Sequence, residues 1–393
     1  MLGILLANIT AFSHPTLAYY WPPALPGGAQ GADGWIWLGQ FVLVDGKLRG
    51  LFTILFGAGM LLFIERAQAG GRGNGGVLQL RRLAWLAVFG ILHFYLLFSG
   101  DVLWSYASSG VLCLLCLHLR SWQMLAAGIA GSLLGGLLLL SDFAAPALIE
   151  IQALGGGVIS PEWPGLQKHW AEQIAETAGE TAAMGGSSFS ALLQYRWDEE
   201  TWRLGLSITY NFLETIPLVL LGMGLFRLGV FTDVEMRRRY RLLAWAGVVL
   251  GAGLNLAAGL HVMRAGFPPY QTQAAFFGLL PLFNLPLLLG AAVLLTDWAM
   301  AIRGGWLGER LALAGRMALS NYIGTSLVMA LVFQGWAGGL FGTMHRAELL
   351  LIVVLGWAMM LTCSRLWLAH HRYGPIEWLW RCLTYWRLFP NRL

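Results

Sequence analysis

Eight polar side chains stand out in a chain that is otherwise mostly apolar. His93 lies in "GILHFYLLFSGD", and Asp101 closes that stretch eight positions later. Neutral imidazole both donates and accepts hydrogen bonds and titrates near neutrality, so His93 has the chemistry of a general base. Asp101 has the chemistry to orient an acceptor or stabilise an imidazolium. It also follows Gly100 at a turn, where an aspartate caps the next helix. On one continuous helix the pair would lie about 12 Å apart, lining one cavity without touching. Lys47 and Arg49 in "VDGKLRGLF" could hold a phosphate, a carboxylate or a lipid headgroup. The alternative is snorkelling to headgroups, with Asp45 and Arg49 paired at i, i+4 spacing. Asn8 is polar in the middle of "LLANITAF". Glu214 in "YNFLETIPLV" shares a helix face with Tyr210 and Asn211. In hydrocarbon it must be protonated, paired or turned to a cavity; otherwise it sits at the outer interface. Asn321 and Tyr322 in "GRMALSNYIG" are secondary candidates.

The elements that must position these groups are membrane helices. The chain has 393 residues, of which 57% are hydrophobic and 11% charged. A soluble domain carries roughly 25% charged residues. The apolar runs are long and continuous, unlike the alternating segments of about ten residues found in barrels. The fold class is therefore all-α, a polytopic bundle. Ten spans are predicted, near 2–20, 48–64, 82–98, 102–118, 123–141, 204–229, 242–262, 273–300, 317–340 and 347–369. An interfacial stretch at 34–44 precedes the second. Pro217 should tilt or break the sixth span, and Pro281 and Pro286 the eighth. A charge at the bilayer centre costs roughly 2.5–3.5 kcal/mol on insertion scales, so the residues named above are functional candidates by default.

Arginines set the orientation. Arg66, Arg72, Arg81, Arg82, Arg120, Arg237 to Arg239, Arg241, Arg303, Arg310, Arg316 and the tail from Arg372 to Arg392 fall on one side of a ten-span topology, expected to be cytoplasmic with both termini. The net charge of +5 reads as topology and not as nucleic-acid binding. Three regions follow: N-terminal helices over 1–141, an extracytoplasmic loop with a short amphipathic helix over 142–203, and C-terminal helices with a cytoplasmic tail over 204–393. Lys47 and Arg49 would then sit on the outer side, against the positive-inside pattern. The first span opens at Met1 without a basic flank; the reading is a start upstream or a lost cytoplasmic lead-in.

No metal site is expected, because "LAHHRYG" lacks ligand spacing. No glycine-rich phosphate loop follows a strand. "CLLC" at 113–116 lies in an apolar span and reads as buried membrane cysteine. The small residues of "LFGAGM" read as close helix packing.

Several blocks resemble the YeiB-like family of bacterial inner-membrane proteins, whose C-terminal half is a domain of unknown function. They are "LGILLANITAF", "GKLRGLFTILFGAG", "GILHFYLLFSGDVLWSYASSG", "AGRMALSNYIGTSLVMALVF" and "RYGPIEWLWR". The resemblance covers nearly everything except 142–203. Three positions depart from it: the basic lead-in is missing, Thr325 replaces a common Gln, and His14 matches no family position. The family is distantly grouped with transmembrane acyltransferases, including the lysosomal heparan-alpha-glucosaminide N-acetyltransferase. That resemblance implies acyl transfer from a cytoplasmic acyl-CoA co-substrate to an extracytoplasmic or lipid-linked acceptor. It carries over to Asn8, Lys47, His93 and Asp101, with Arg49 matching a subset. His93 and Asp101 would be catalytic; Lys47, Arg49 and Asn8 would bind the donor or an anion in the same cavity.

Two other classes stand beside it. A transporter of a small solute or lipid suits broken spans and buried charges, although no internal repeat is visible. A non-catalytic lipid-binding protein suits the arginine-rich tail. Membrane lipids are expected partners, nucleic acid is not, and the oligomeric state is open.

Overall fold

The computed structural model describes residues 1–71 and 74–393. Arg72 therefore lies outside the described residues. Among them, regular structure is helical apart from one isolated antiparallel bridge between His371 and Arg392. The chain is an all-α polytopic membrane bundle.

The first predicted span is two helices, α1 (Leu2–Ser13) and α2 (Thr16–Tyr20). His14 leaves helical geometry, with φ −142 and ψ 161, because the following Pro15 disfavours it. The stretch read as interfacial is most of α3 (Ala32–Leu43), which continues into α4 (Lys47–Ala69) as one 38-residue apolar unit. The interruption falls at Gly46, whose φ of +72 lies in the left-handed region that glycine adopts without steric cost. Asn74 caps α5 (Gly75–Leu96), accepting from the Gly76 N–H at 2.9 Å. After α6 (Leu103–Leu114), α7 (Ser121–Leu154) runs 34 residues. The helix thus continues past 141, and the loop read as starting at 142 begins only at 155. It holds α8 (Trp163–Gly185) and α9 (Phe189–Tyr195).

The proline spans are not broken. α10 (Trp202–Tyr210) and α11 (Ile216–Arg227) are joined by a π-helical turn at Asn211–Thr215. After α12 (Val234–Arg264), α13 (Pro269–Gln273) and α14 (Leu280–Ala301) are joined by another at Ala274–Leu279. Each wider turn lies just before a proline, Pro217 or Pro281, which lacks the donor for a regular turn. A true bend of 82° separates α15 (Trp306–Arg316) from α16 (Ala318–Phe333). Then come α17 (Arg346–Leu368) and α18 (Pro375–Tyr385).

Among the described residues seven helical units are long and apolar enough to cross a membrane, or eight with the bent pair. α1 and α6 are apolar but 12 residues each. At 1.5 Å per residue each reaches about 18 Å, short of a hydrocarbon core of about 30 Å. They occupy the places of the first and fourth predicted spans.

Lipid is as apolar as leucine, so close approach of small residues drives helix association. A Cβ on Gly57 would meet the Val219 carbonyl at 2.2 Å, and one on Gly222 the Ile54 carbonyl at 1.9 Å, so α4 and α11 touch backbone to backbone. The small residues of "LFGAGM" do pack a neighbour. Arg237 is bound to Asp297 at 2.6 Å and ties α12 to α14. Met184 and Leu192, from the region that joins α7 to α10, are buried in a core with Leu5, Ile9, Phe12 and Phe333. This region is a cap docked on one end of the bundle. At the other end Trp380 donates to the Arg82 carbonyl at 2.8 Å and Arg316 to the Arg372 carbonyl at 2.9 Å; this is the arginine face.

Candidate functional site

The site grows from the end of α5. The Leu97 and Phe98 N–H groups both donate to the His93 carbonyl at 2.9 Å, which turns the chain back. Arg196 donates to the Tyr95 carbonyl at 2.7 Å and the Leu97 carbonyl at 3.2 Å, serving carbonyls that the helix end leaves orphaned. Asp101 then starts α6, where its Oδ2 accepts from the Trp104 N–H at 2.8 Å. Its Oδ1 lies 2.9 Å from His93 Nδ1, with both side chains about 1% exposed or less. The approach is off the alignment of a formed hydrogen bond. The two residues thus touch, contrary to the 12 Å expected for a continuous helix. The reason is the turn at 97–101, which folds Asp101 back over His93. Gly90, one turn before His93, makes room: a Cβ there would lie 2.5 Å from the Trp104 nitrogen and 2.9 Å from Asp101 Oδ2. The Tyr322 ring packs on the imidazole, with centroids 4.7 Å apart. Its hydroxyl accepts from the Val102 N–H at 3.4 Å.

Two cavities meet at this turn. The capped cavity, about 380 Å³, is lined by Asn8, Arg49, Asp101, Tyr106, Arg203 and Asn211 among others. A vestibule of about 700 Å³ under α8 joins it through Thr16, Glu180 and Arg203. The second cavity, about 340 Å³, opens at the arginine face, where Arg82 and Arg316 line it. Val102 and Tyr106 belong to both linings. His93 lines neither; it lies behind the wall made by Asp101, Val102 and Tyr322, with Nε2 buried and unpartnered.

The cap closes on the site through charge. Glu180 accepts from both the N–H and the hydroxyl of Thr16 at 2.9 Å. Glu200 accepts from Ser99 at 3.2 Å and pairs with Arg203 at 3.0 Å. Burial pushes the Glu200 carboxyl up, against the pull of Arg203 and Arg196, and pulls the Arg196 guanidinium down to about 10. Burial, reinforced by Glu180, also pushes the Tyr195 hydroxyl up to about 12.

Other predicted residues are placed apart. Lys47 does not reach either cavity and does not snorkel. It is 1% exposed, donates to the Phe41 carbonyl at 2.5 Å and lies 5.5 Å from the Phe41 ring centroid. The Gly46 turn points it back at the end of α3, whose carbonyls it caps. Asp45 is not paired with Arg49; it accepts from Gln40 at 3.4 Å, and Gln40 accepts from Arg346 at 2.8 Å. Arg49 instead forms an ion pair with Glu214, linking α4 to the π turn. That turn also projects Asn211, which donates to Ser108 on α6 at 2.9 Å. Asn321 donates to the Ala314 carbonyl at 3.0 Å and to Ser364 at 2.9 Å, pinning the 82° bend. Asn8, Asn321, Tyr322 and Thr325 meet around a cleft of about 10 Å³. Among the described residues no three His, Cys, Asp or Glu side chains form a metal-binding group.

Arg196, Glu200, Glu180 and Gly90 carry no signal in the sequence of the kind that marked His93. Three belong to a polar loop, where charge is ordinary. Only "RWDEETWR", a dense charge run just before an apolar span, marks Arg196 and Glu200.

An apolar helix bundle with polar cavities entering from both ends defines a polytopic membrane protein. Residues 225–387 match the family described as protein of unknown function, DUF418. The chain is 29% identical to the uncharacterized protein YeiB of Escherichia coli (strain K12), over 98% of this chain and 93% of that one. It is 26% identical to the uncharacterized protein YxaH of Bacillus subtilis (strain 168), over 85% and 78%. It is 28% identical to an uncharacterized 39.9 kDa protein from the amylase 3' region of Bacillus acidopullulyticus, over 99% and 92%. No solved structure matches it. Along nearly its whole length the chain is similar to YeiB-like proteins, and its C-terminal part matches the DUF418 family.

Proposed function

We propose that this protein is an acyltransferase of the bacterial inner membrane, moving an acyl group from cytoplasmic acyl-CoA to an extracytoplasmic or lipid-linked acceptor. One observation carries the reading: two cavities set back to back, sharing Val102 and Tyr106, with His93 and Asp101 at their partition. The positive-inside rule puts the arginine face in the cytoplasm and the cap outside. Ten passes, counting α1 and α6, leave both termini on the arginine face.

The acceptor enters under the cap and the donor from the arginine face. Acceptor oxygen or nitrogen attacks the thioester carbonyl carbon, and its proton passes to His93 Nε2. The C–S bond breaks, and the leaving thiolate recovers that proton. Asp101 beside Nδ1 orients the ring and stabilises the imidazolium. Since His93 lies behind the wall, Tyr322 or the 97–102 turn must shift to admit substrate.

The test is CoA release from acetyl-CoA and longer acyl-CoA by the purified protein in vesicles, with and without a membrane-lipid extract, followed by chromatography. Release should fall about a hundredfold or more in His93→Ala. No release at any chain length would reject acyl transfer. The same paired cavities suit alternating access, so solute flux in those vesicles would then be measured.

A further inference from the structure

The arginine-face cavity is polar at its mouth and mostly apolar below it. Its mouth holds Gln79, Arg82, Arg316, Glu377 and Trp380; its floor is Ile4, Leu103, Val102, Tyr106 and Tyr322. Arg82 is clamped between two rings, 4.1 Å from Trp380 and 4.7 Å from Phe63. Neither Arg82 nor Arg316 has a carboxylate within ion-pair distance among the described residues. Glu377 does not neutralise them. It is taken up by the start of α16, accepting from the Leu319 and Ser320 N–H groups at 2.7 and 2.9 Å and from the Ser320 hydroxyl at 2.5 Å. Gln79, one turn from Arg82 on α5, is 2% exposed with an unpartnered Oε1. The mouth is thus a fixed cationic edge over an apolar shaft. From Arg82 to His93 the α5 axis rises about 16 Å.

We infer that this cavity is a phosphate-anchored donor site, in which Arg82 and Arg316 hold the phosphates of a phosphopantetheine thioester while its arm runs up the shaft to the His93 wall. The inference rests on the acyl-transfer reading and moves the anion site away from Lys47, Arg49 and Asn8. Lys47 caps a helix, while Arg49 is held by Glu214 and lines the capped cavity with Asn8. A planar guanidinium suits bidentate phosphate binding, and the ring clamp spares ordering cost. The arm could be borne by CoA or by a carrier protein.

The experiment is calorimetric titration of the detergent-purified full chain with CoA, with phosphopantetheine alone and with pyrophosphate. The variants are Arg82→Gln, Arg316→Gln and His93→Ala. Arg316 is exposed, so its substitution leaves packing intact if Arg82→Gln proves unstable. The expected result is CoA binding weakened about tenfold or more in each arginine variant and unchanged in His93→Ala. Phosphopantetheine binding as well as CoA points to a carrier-borne arm; clearly weaker binding points to CoA. Equal CoA binding by wild type and both arginine variants overturns the site and leaves acyl transfer standing. No binding of CoA or phosphopantetheine overturns the donor assignment; pyrophosphate binding lost in both arginine variants would then keep the anion site and remove the acyl-donor reading.

Discussion

The Arg196 guanidinium donates to the Leu97 carbonyl, 99 residues away in sequence, at 3.2 Å, and to Tyr95 at 2.7 Å. One side chain from the cap thereby terminates the helix that carries His93. Truncating it leaves the Tyr95 carbonyl short of a donor and the Leu97 carbonyl with only the Gln334 amide at 3.4 Å. Arg196→Gln should cost about 2–3 kcal/mol and lower the thermal midpoint in detergent. It should also lower the proposed acyl-CoA turnover, because the 97–101 turn loses its anchor. A midpoint equal to wild type would show that the turn is held without it.

Gly90 tests the His93–Asp101 contact without touching either residue. Gly90→Ala places a methyl 2.9 Å from Asp101 Oδ2 and 2.5 Å from backbone. The overpacking should cost about 1–3 kcal/mol and push Asp101 off the imidazole. Gly253→Ala on α12 meets nothing within 4 Å and should be neutral or stabilising by up to about 1 kcal/mol. Similar midpoints for the two variants would contradict the close approach of α5 and α6.

Glu200 makes the cap sensitive to pH. Its carboxyl is raised above the ordinary 4.5 by burial, so the folded state holds the proton more tightly than the unfolded chain. The stability it contributes is fully present below about 4.5 and is lost as pH rises through the raised value. The midpoint of wild type minus that of Glu200→Gln should therefore fall as pH rises above 4.5. A difference that is constant or rises over that range would reverse the assignment.

Lys47 is predicted to matter for stability and not for donor binding. Lys47→Met removes the donor from the Phe41 carbonyl. It should cost about 1–3 kcal/mol. Titration with CoA should give the wild-type affinity; a loss of affinity without a loss of stability would restore Lys47 to the donor site.

The bundle itself was legible in the sequence, because apolar runs must become helices where backbone groups have no water to bind. Among the described residues seven helical units, or eight with the bent pair, are long enough to cross; the first and fourth predicted spans are helices of 12 residues, a shortening the apolar windows did not reveal. Composition also singled out His93, Asp101, Arg49 and Asn8, since polar groups in such runs are costly. Composition could not say who meets whom. A helical ruler holds His93 and Asp101 apart, and only the turn at 97–101 joins them. Lys47 and Arg49, two residues apart on α4, leave the helix on different faces: Lys47 turns back to the Phe41 carbonyl and Arg49 pairs with Glu214. Asn211 and Arg196 line the capped cavity from π turns at Asn211–Thr215 and Arg196–Glu200, which shift a side chain around its helix by an amount no regular periodicity encodes. Side-chain type follows from the residue alone; partners 99 or 165 residues away follow from packing, which only the tertiary structure decides.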